Sequence, residues 1–141
     1  MNRVRAFSAI LKNGKIVMVK VDEIEKSFWT LPGGGVEIGE TREQAAIREA
    51  MEEVNLEIKV VRFLFAQEYA AGIEYCYLAV PVDFNKSDIK LGYDPELKEH
   101  EQVLKQAEWI EINNVKDDLH VSKVIESLND NEKMLFNIKI R

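Results

Sequence analysis

The sequence predicts an α/β (α+β) fold in which helices cover a mixed β-sheet, as one domain over residues 1–141. The length of 141 residues allows one compact hydrophobic core. Runs rich in Val, Ile and Phe precede and follow a first segment of helical period, and a second helical segment comes only after the later strands. Strands and helices therefore do not alternate regularly. The sequence contains no repeat, low-complexity segment or linker. Together these observations favour an α/β sandwich over a regular βαβ fold.

The chain begins with a predicted hairpin of antiparallel strands. Residues 3–11 and 15–22 are rich in Val, Ile and Phe. Asn13-Gly14 between them is the strongest short hairpin signal, because both residues tolerate a positive φ.

A glycine tract follows the third extended run. Phe28 to Leu31 reads as a short strand that ends at Pro32, and Gly33-Gly34-Gly35 comes next. Three adjacent glycines predict a tightly turning and exposed backbone.

A helix is predicted from Arg42 to Val54. Thr41 and Gln44 form a capping box at its start, and Asn55 suits the left-handed conformation at its end. Its apolar residues Ile47, Ala50, Met51 and Val54 recur at helical spacing.

The second half of the chain predicts further strands and short helices. In chain order, these are strands over 56–68 and 73–82 joined by a hairpin at 70–72, a long polar loop over 83–102, a strand over 107–112, a turn or short helix over 113–119 and a helix over 121–128. Residues 134–140 fit a final strand and a helical turn equally well.

Composition excludes several classes of function. The sequence contains 19 Lys and Arg residues and 25 Asp and Glu residues, and the resulting net charge of −6 disfavours a nucleic-acid partner. No apolar run reaches the roughly 20 residues that a membrane helix needs, and no export signal is visible. Cys76 is expected to be a buried strand residue without an internal disulfide. We therefore expect a cytoplasmic protein that does not bind membranes.

Most of the excess negative charge is local. Residues 37–57 contain seven glutamates and two arginines, a formal charge of −5. On a helical wheel, Glu49, Glu52 and Glu53 share an arc of roughly 100°, opposite the apolar stripe. The small Ala45 and Ala46 flank this arc, which predicts space above it for ions and substrate.

Several carboxylates without a nearby His or Cys suit Mg²⁺ or Mn²⁺ better than zinc. A solvated acidic face is the alternative for the helix alone. The adjacent glycine tract favours a metal and phosphate site, because it brings free backbone groups beside the carboxylates. Gly34 and Gly35 are therefore predicted substrate-binding residues.

Residues 34–56, GGVEIGETREQAAIREAMEEVNL, closely resemble the signature box of the Nudix hydrolases. The box consists of Gly, five residues, Glu, seven residues, Arg-Glu, an aliphatic residue, any residue, Glu-Glu, any residue, Gly and an aliphatic residue. The matching residues are Gly34, Glu40, Arg48, Glu49, Glu52, Glu53 and Leu56. Ala50 replaces a larger aliphatic residue, and Asn55 replaces the final glycine. Neither departure affects an expected metal ligand.

The resemblance implies a Nudix-type α/β/α sandwich with a loop-helix catalytic motif. It implies Glu49, Glu52, Glu53 and the Gly33 carbonyl as ligands of Mg²⁺ or Mn²⁺, with Glu49 as an alternative general base. Arg48 would orient the acids, and Glu40 would have a structural or outer-shell role.

Some Nudix relatives take their general base from a loop outside the box. Glu101, with Glu99 nearby, is the loop candidate here, and solvated loop glutamates are the alternative. Phe28 and Tyr93 are the candidates for stacking on a nucleobase, although such aromatic residues are more often part of a core.

The resemblance implies a pyrophosphohydrolase that cleaves a nucleoside diphosphate linked to another moiety. A small nucleotide, most simply a (deoxy)nucleoside triphosphate as in the MutT-like group, is the expected substrate. ADP-ribose or another NDP-sugar and a non-hydrolytic nucleotide sensor are the alternatives. Small members of the family are frequently dimers, so a homodimer and a monomer both remain open.

Overall fold

A computed structural model describes residues 3–93, 97–98 and 102–141. The strands are β1 (Arg3–Lys12), β2 (Lys15–Glu23), β3 (Lys26–Thr30), β4 (Gly33–Gly35), β5 (Ile58–Tyr69), β6 (Gly72–Pro81) and β7 (Leu104–Glu111). The helices are α1 (Arg42–Val54), α2 (Leu119–Ser127) and α3 (Asp130–Leu135), and a 3-10 turn covers Ile112–Asn114. None of the helices in this part of the chain is long and apolar enough to cross a membrane.

The seven strands form a mixed sheet, which confirms the predicted fold class. The order is β3-β2-β1-β6-β5, with β4 paired to β1 and β7 paired to β2. The β1–β6 pair is parallel, and the other pairs are antiparallel. β1 and β2 pair only beside their turn, at Leu11↔Ile16 and Lys12↔Lys15. Further along β1, β4 takes the place of β2 as the neighbour.

Alternation along β1 sends side chains to two sides of the sheet. Phe7 and Leu11 join a core cluster that includes Val121 and Val124 of α2. Ile10 joins a second cluster with α1 residues. The sheet is therefore covered by α1 on one face and by α2 on the other, as the sandwich prediction requires.

The predicted helix and hairpins are confirmed. α1 has the expected bounds, and its N-cap Thr41 exchanges hydrogen bonds with Gln44. Asn55 ends the helix in the left-handed conformation, at φ 54° and ψ 36°. Asn13 and Gly14 both have positive φ in the first hairpin. Cys76 is buried in β6 and free.

The glycine tract differs from the prediction. Residues 33–35 form strand β4 instead of a tight turn, and none of the three has a positive φ. They are glycines because space is lacking: a Cβ atom at Gly33 would lie 2.3 Å from the Phe7 ring. Neighbouring side chains therefore occupy the space that side chains at Gly33 and Gly34 would need.

The end of the chain resolves the open prediction for 134–140. Met134 and Leu135 complete α3, and no strand follows in the described residues. α3 begins at a capping box of Asn129 and Glu132 that the sequence analysis did not identify.

Candidate functional site

Arg48 is the centre of the acidic cluster. Its guanidinium donates to both oxygens of Glu40, from Nε at 2.7 Å and from Nη2 at 3.0 Å. Nη1 donates to Glu49 Oε1 at 2.9 Å and to Glu52 Oε2 at 3.2 Å. Nη2 also donates to the Gly35 carbonyl at 3.0 Å. One arginine therefore ties the loop before α1 to two acids on the helix.

Glu53 has a different environment from the other acids. Its Oε1 accepts a hydrogen bond of 2.8 Å from the backbone N–H of Gly33. Burial raises the pKa of Glu53 to about 8, and the nearby negative charge of Glu49 contributes in the same direction. Burial disfavours the ionised form of this carboxyl, and a cation beside it would stabilise that form.

Burial also raises the pKa of Glu49, although its hydrogen bond from Arg48 opposes this effect. Arg5 on β1 lies close enough to stabilise the negative charges of Glu49 and Glu53. Arg5 was not predicted as a site residue, because no motif in the sequence marks it.

The glycine strand sets how closely the helix approaches the sheet. A Cβ atom at Gly34 would lie 2.5 Å from Glu49 Oε1. The absence of a side chain at Gly34 therefore makes room for the Glu49 carboxylate. Gly35 contributes its carbonyl to Arg48. These contacts connect two predicted substrate-binding glycines to the acids and leave their role toward a substrate as a prediction.

The apolar face of α1 was predicted correctly for Ala50 and Val54, which are fully buried, and for Ile47, which packs against them, but not for Met51. Met51 is 44% exposed, whereas Ala45 and Ala46 are fully buried against Ala6 and Tyr77. Alanines dominate the buried face because the helix lies directly on the glycine strand and β1, where only small side chains fit. Glu49 and Glu53 are half-buried beside this face. Ala45 and Ala46 pack against the sheet, so they do not flank an open space as predicted.

The donor chemistry of the cluster fits a hard divalent cation. Glu49, Glu52 and Glu53 offer carboxylate oxygens on adjacent turns, and their negative charges act on one another. Within the described ranges, however, no three acidic, His or Cys side chains are grouped closely enough to hold an ion. Two of the acids are instead engaged by Arg48.

An open cavity of about 1210 Å³ borders the cluster. Its lining includes Glu40 and Glu49 on one side and Arg3, Arg42 and Tyr75 on the other. The Arg42 guanidinium lies 4.0 Å from the centre of the Tyr75 ring.

The remaining predicted residues lie in other places. Phe28 is on β3, paired with Val21, with the Lys26 ammonium 5.2 Å from its ring centre. Tyr93 is 62% exposed and follows Gly92, which contacts the end of α1. Glu99 and Glu101 lie outside the described residues, so the loop base remains a prediction.

His120, which follows the first residue of α2, makes a polar contact away from the acidic cluster. Its Nε2 lies 2.8 Å from Oε1 of the buried Glu74, and its ring packs 5.8 Å from that of Phe7. This polar contact on the α2 side of the sheet lies outside the box and had no sequence signal.

Comparison with known proteins identifies the family. A family model described as NUDIX domain matches residues 2–128. An NAD-capped RNA hydrolase NudC from Edwardsiella ictaluri is 31% identical over 103 residues, which cover 72% of this chain and 36% of that protein. An RNA pyrophosphohydrolase from Baumannia cicadellinicola is 40% identical over 57 residues, which cover 40% of this chain and 35% of that protein.

A solved structure of a NUDIX hydrolase from Nitrosomonas europaea has the same fold. It superposes with a TM-score of 0.66 at 17% identity and covers 94% of this chain and 91% of its own. The chain belongs to the Nudix hydrolase family. It spans about a third of the length of the curated relatives described above.

Proposed function

We propose that this chain is a divalent-metal-dependent pyrophosphohydrolase that cleaves a nucleoside diphosphate linked to another moiety, and that residues 1–141 form one such domain. The observation that carries the proposal is the arrangement around Arg48. Four carboxylates lie within 4.0 Å of one guanidinium, and the separate carboxyl of Glu53 is held by the glycine strand. Carboxylates this close together repel one another and destabilise the fold, whereas a bound cation would offset the repulsion.

Glu49, Glu52 and Glu53 would hold Mg²⁺ or Mn²⁺, with the Gly33 carbonyl as a further ligand. A divalent cation held by these residues would neutralise charge on the diphosphate and would lower the pKa of a bound water. Arg48 orients Glu49 and Glu52 through its Nη1 hydrogen bonds. The Gly33 amide fixes Glu53.

The raised pKa of Glu49 suits the alternative role of general base, because a base works best when its pKa approaches the working pH. Glu101 is the other candidate for this role.

The substrate is proposed to be a small nucleotide. The net charge of −6 opposes binding of a long polyanion, and a (deoxy)nucleoside triphosphate is the simplest substrate that needs only the pyrophosphate site. Gly34, Gly35, Phe28 and Tyr93 are the proposed substrate contacts. A homodimer is compatible with this assignment, and we propose a cytoplasmic location.

The alternative substrates include ADP-ribose, other NDP-sugars and NAD-type dinucleotides. The last class is favoured by relatives named NAD-capped RNA hydrolase. A nucleotide sensor without hydrolysis is the alternative of a different class, and the complete set of box acids argues against it.

The experiment is a panel of nucleotides assayed for phosphate-containing products with Mg²⁺ or Mn²⁺, with and without chelator. The panel contains dNTPs, ADP-ribose, NAD and an NAD-capped RNA. We expect metal-dependent hydrolysis of a small nucleotide, with weaker turnover of the capped RNA. Metal-dependent binding of nucleotides without any product would instead support the sensor.

Glu52→Gln and Glu53→Gln test the assigned acids. Each change should lower turnover by at least about 100-fold, because it removes a negatively charged ligand without changing side-chain size. Glu126→Gln on the exposed side of α2 is the matched control and should keep wild-type turnover. Unchanged rates in both box variants would refute the assignment.

A further inference from the structure

A segment of the long loop crosses the C-terminal end of α1. The backbone N–H of Lys90 donates to the Val54 carbonyl at 2.9 Å, and that of Gly92 donates to the Glu53 carbonyl at 2.7 Å. The last carbonyls of a helix have no partner within the helix. Two of those of α1 are therefore satisfied by residues more than thirty positions away.

Asn55 adds a third connection from its side chain. Its Nδ2 donates to the Lys90 carbonyl at 2.8 Å. The Nudix box has glycine at this position, and glycine would adopt the left-handed conformation with less strain. Only a residue with a side-chain donor can also hold the loop, so the departure from the box has a structural use here.

Gly92 allows the close approach. A Cβ atom at this position would lie 1.8 Å from the Glu52 carbonyl oxygen and 3.0 Å from the Glu53 Cα. The loop backbone at Gly92 is thus in direct contact with the backbone of Glu52 and Glu53, and no side chain would fit at Gly92.

We propose that Asn55 and segment 90–92 form a clamp that positions Glu52 and Glu53 for metal binding. Glu53 is held at both ends, since its carboxylate accepts from Gly33 and its carbonyl accepts from Gly92. The clamp fixes the helix end on which both acids are mounted. Asn55 and Gly92 are positioning residues, and their role rests on the proposed metal-dependent function.

The test is a titration of the full chain with Mn²⁺, in which electron paramagnetic resonance measures the concentration of free Mn²⁺. The dissociation constant for Mn²⁺ follows from this titration. Asn55→Gly removes the side-chain hydrogen bond and keeps the left-handed helix end. Asn137→Gly is the matched control, because Asn137 also has a positive φ, 55°, but follows α3. Gly92→Ala forces the loop away from Glu52. Thermal unfolding in chelator is recorded for every variant.

We expect Asn55→Gly to weaken Mn²⁺ binding about three- to tenfold, the effect of losing one hydrogen bond. Gly92→Ala should weaken it by about 10- to 100-fold, as changes beside metal ligands typically do. Asn137→Gly should bind Mn²⁺ like the wild type, even where its unfolding temperature changes. The Mg²⁺ concentration for half-maximal hydrolysis should rise in parallel with the Mn²⁺ dissociation constant.

Wild-type Mn²⁺ affinity in Asn55→Gly would overturn the clamp, and so would an equal loss in Asn55→Gly and Asn137→Gly. The Asn55→Gly result decides the matter if Gly92→Ala does not fold. Failure of the proposed function has a different signature, since the wild-type chain itself would then bind no Mn²⁺ and hydrolyse no nucleotide.

Discussion

Two arginines organise two regions of this molecule in similar ways. Arg48 binds both oxygens of Glu40 and the Gly35 carbonyl. Arg62 on β5 binds both oxygens of Glu132, at 2.7 Å each, and the Ser127 carbonyl at 2.7 Å. Each guanidinium thus joins a bidentate carboxylate to a backbone carbonyl.

The regions differ in their charge balance. Among the residues that the structure describes, Arg62 has one carboxylate partner, and the pair connects β5 to the ends of two helices. Arg48 has four carboxylates within 4.0 Å. A single carboxylate is therefore sufficient for a structural ion pair of a half-buried arginine. We propose that the additional acids at Arg48 serve another purpose. A cation is the partner that would balance them.

Replacing each arginine by alanine separates the two uses. Arg48→Ala should lower metal-dependent hydrolysis about 100-fold, because the box acids lose their common donor. Arg62→Ala should leave hydrolysis near the wild-type rate and lower the free energy of unfolding by about 1–2 kcal/mol. Steady-state kinetics and urea denaturation measure both. Equal kinetic losses in the two variants would show that the regions do not differ in function.

The pH dependence of the free energy of unfolding tests the environment of Glu53, the acid that Arg48 does not bind. The pKa of Glu53 is raised from 4.5 to about 8, so the folded metal-free protein retains a proton that the unfolded chain releases between these pH values. Stability contributed by this group is therefore lost as pH rises through that window. Glu53→Gln should be more stable than the wild type in chelator at pH 9, by on the order of 2 kcal/mol.

Urea denaturation at several pH values, with chelator and with Mg²⁺, is the measurement. Magnesium should stabilise the wild type and have little effect on Glu53→Gln. A wild-type chain that is the more stable of the two in chelator at pH 9 would contradict the assigned environment of Glu53.

Gly34→Ala tests the contact between the glycine strand and the acids. A methyl group at Gly34 would meet the Glu49 carboxylate, so hydrolysis should fall about tenfold or more. Gly35→Ala should cause the smaller loss, because its nearest neighbour, Arg3 Nη2, would be at 3.5 Å. Kinetics of the two variants at saturating Mg²⁺ provide the comparison, and a larger loss in Gly35→Ala would be the contrary result.

The two capping boxes give the smallest expected effect. Thr41→Ala at α1 and Asn129→Ala at α3 each remove a helix cap, which costs about 1 kcal/mol of folding free energy. Only Thr41→Ala should also raise the Mg²⁺ concentration needed for half-maximal hydrolysis, because α1 carries the acids. Thermal unfolding and Mg²⁺ titration distinguish the two variants.

Local signals predicted the helix well. The bounds of α1 follow from the capping box at Thr41 and from the left-handed tolerance of Asn55, both of which act within a few residues. The spacing of Arg48, Glu49, Glu52 and Glu53 places these residues on neighbouring turns of any helix. The family resemblance therefore followed from the sequence alone.

Contacts between distant residues were not predictable in the same way. The glycine tract looks like a turn in isolation and becomes a strand because Arg5–Phe7 of β1 pairs with it. Met51 looks apolar enough for the core but is 44% exposed, whereas the smaller Ala45, Ala46 and Ala50 are fully buried. The contact of Gly92 with Glu52 spans forty residues and has only an isolated loop glycine as its sequence signal.

Crystals of the protein soaked in Mn²⁺ and measured at the manganese absorption edge test the central claim directly. We predict an anomalous peak within bonding distance of carboxylate oxygens of Glu52 and Glu53. A saturating soak that gives no peak beside these side chains, while they keep their contacts with Arg48 and Gly33, would contradict it.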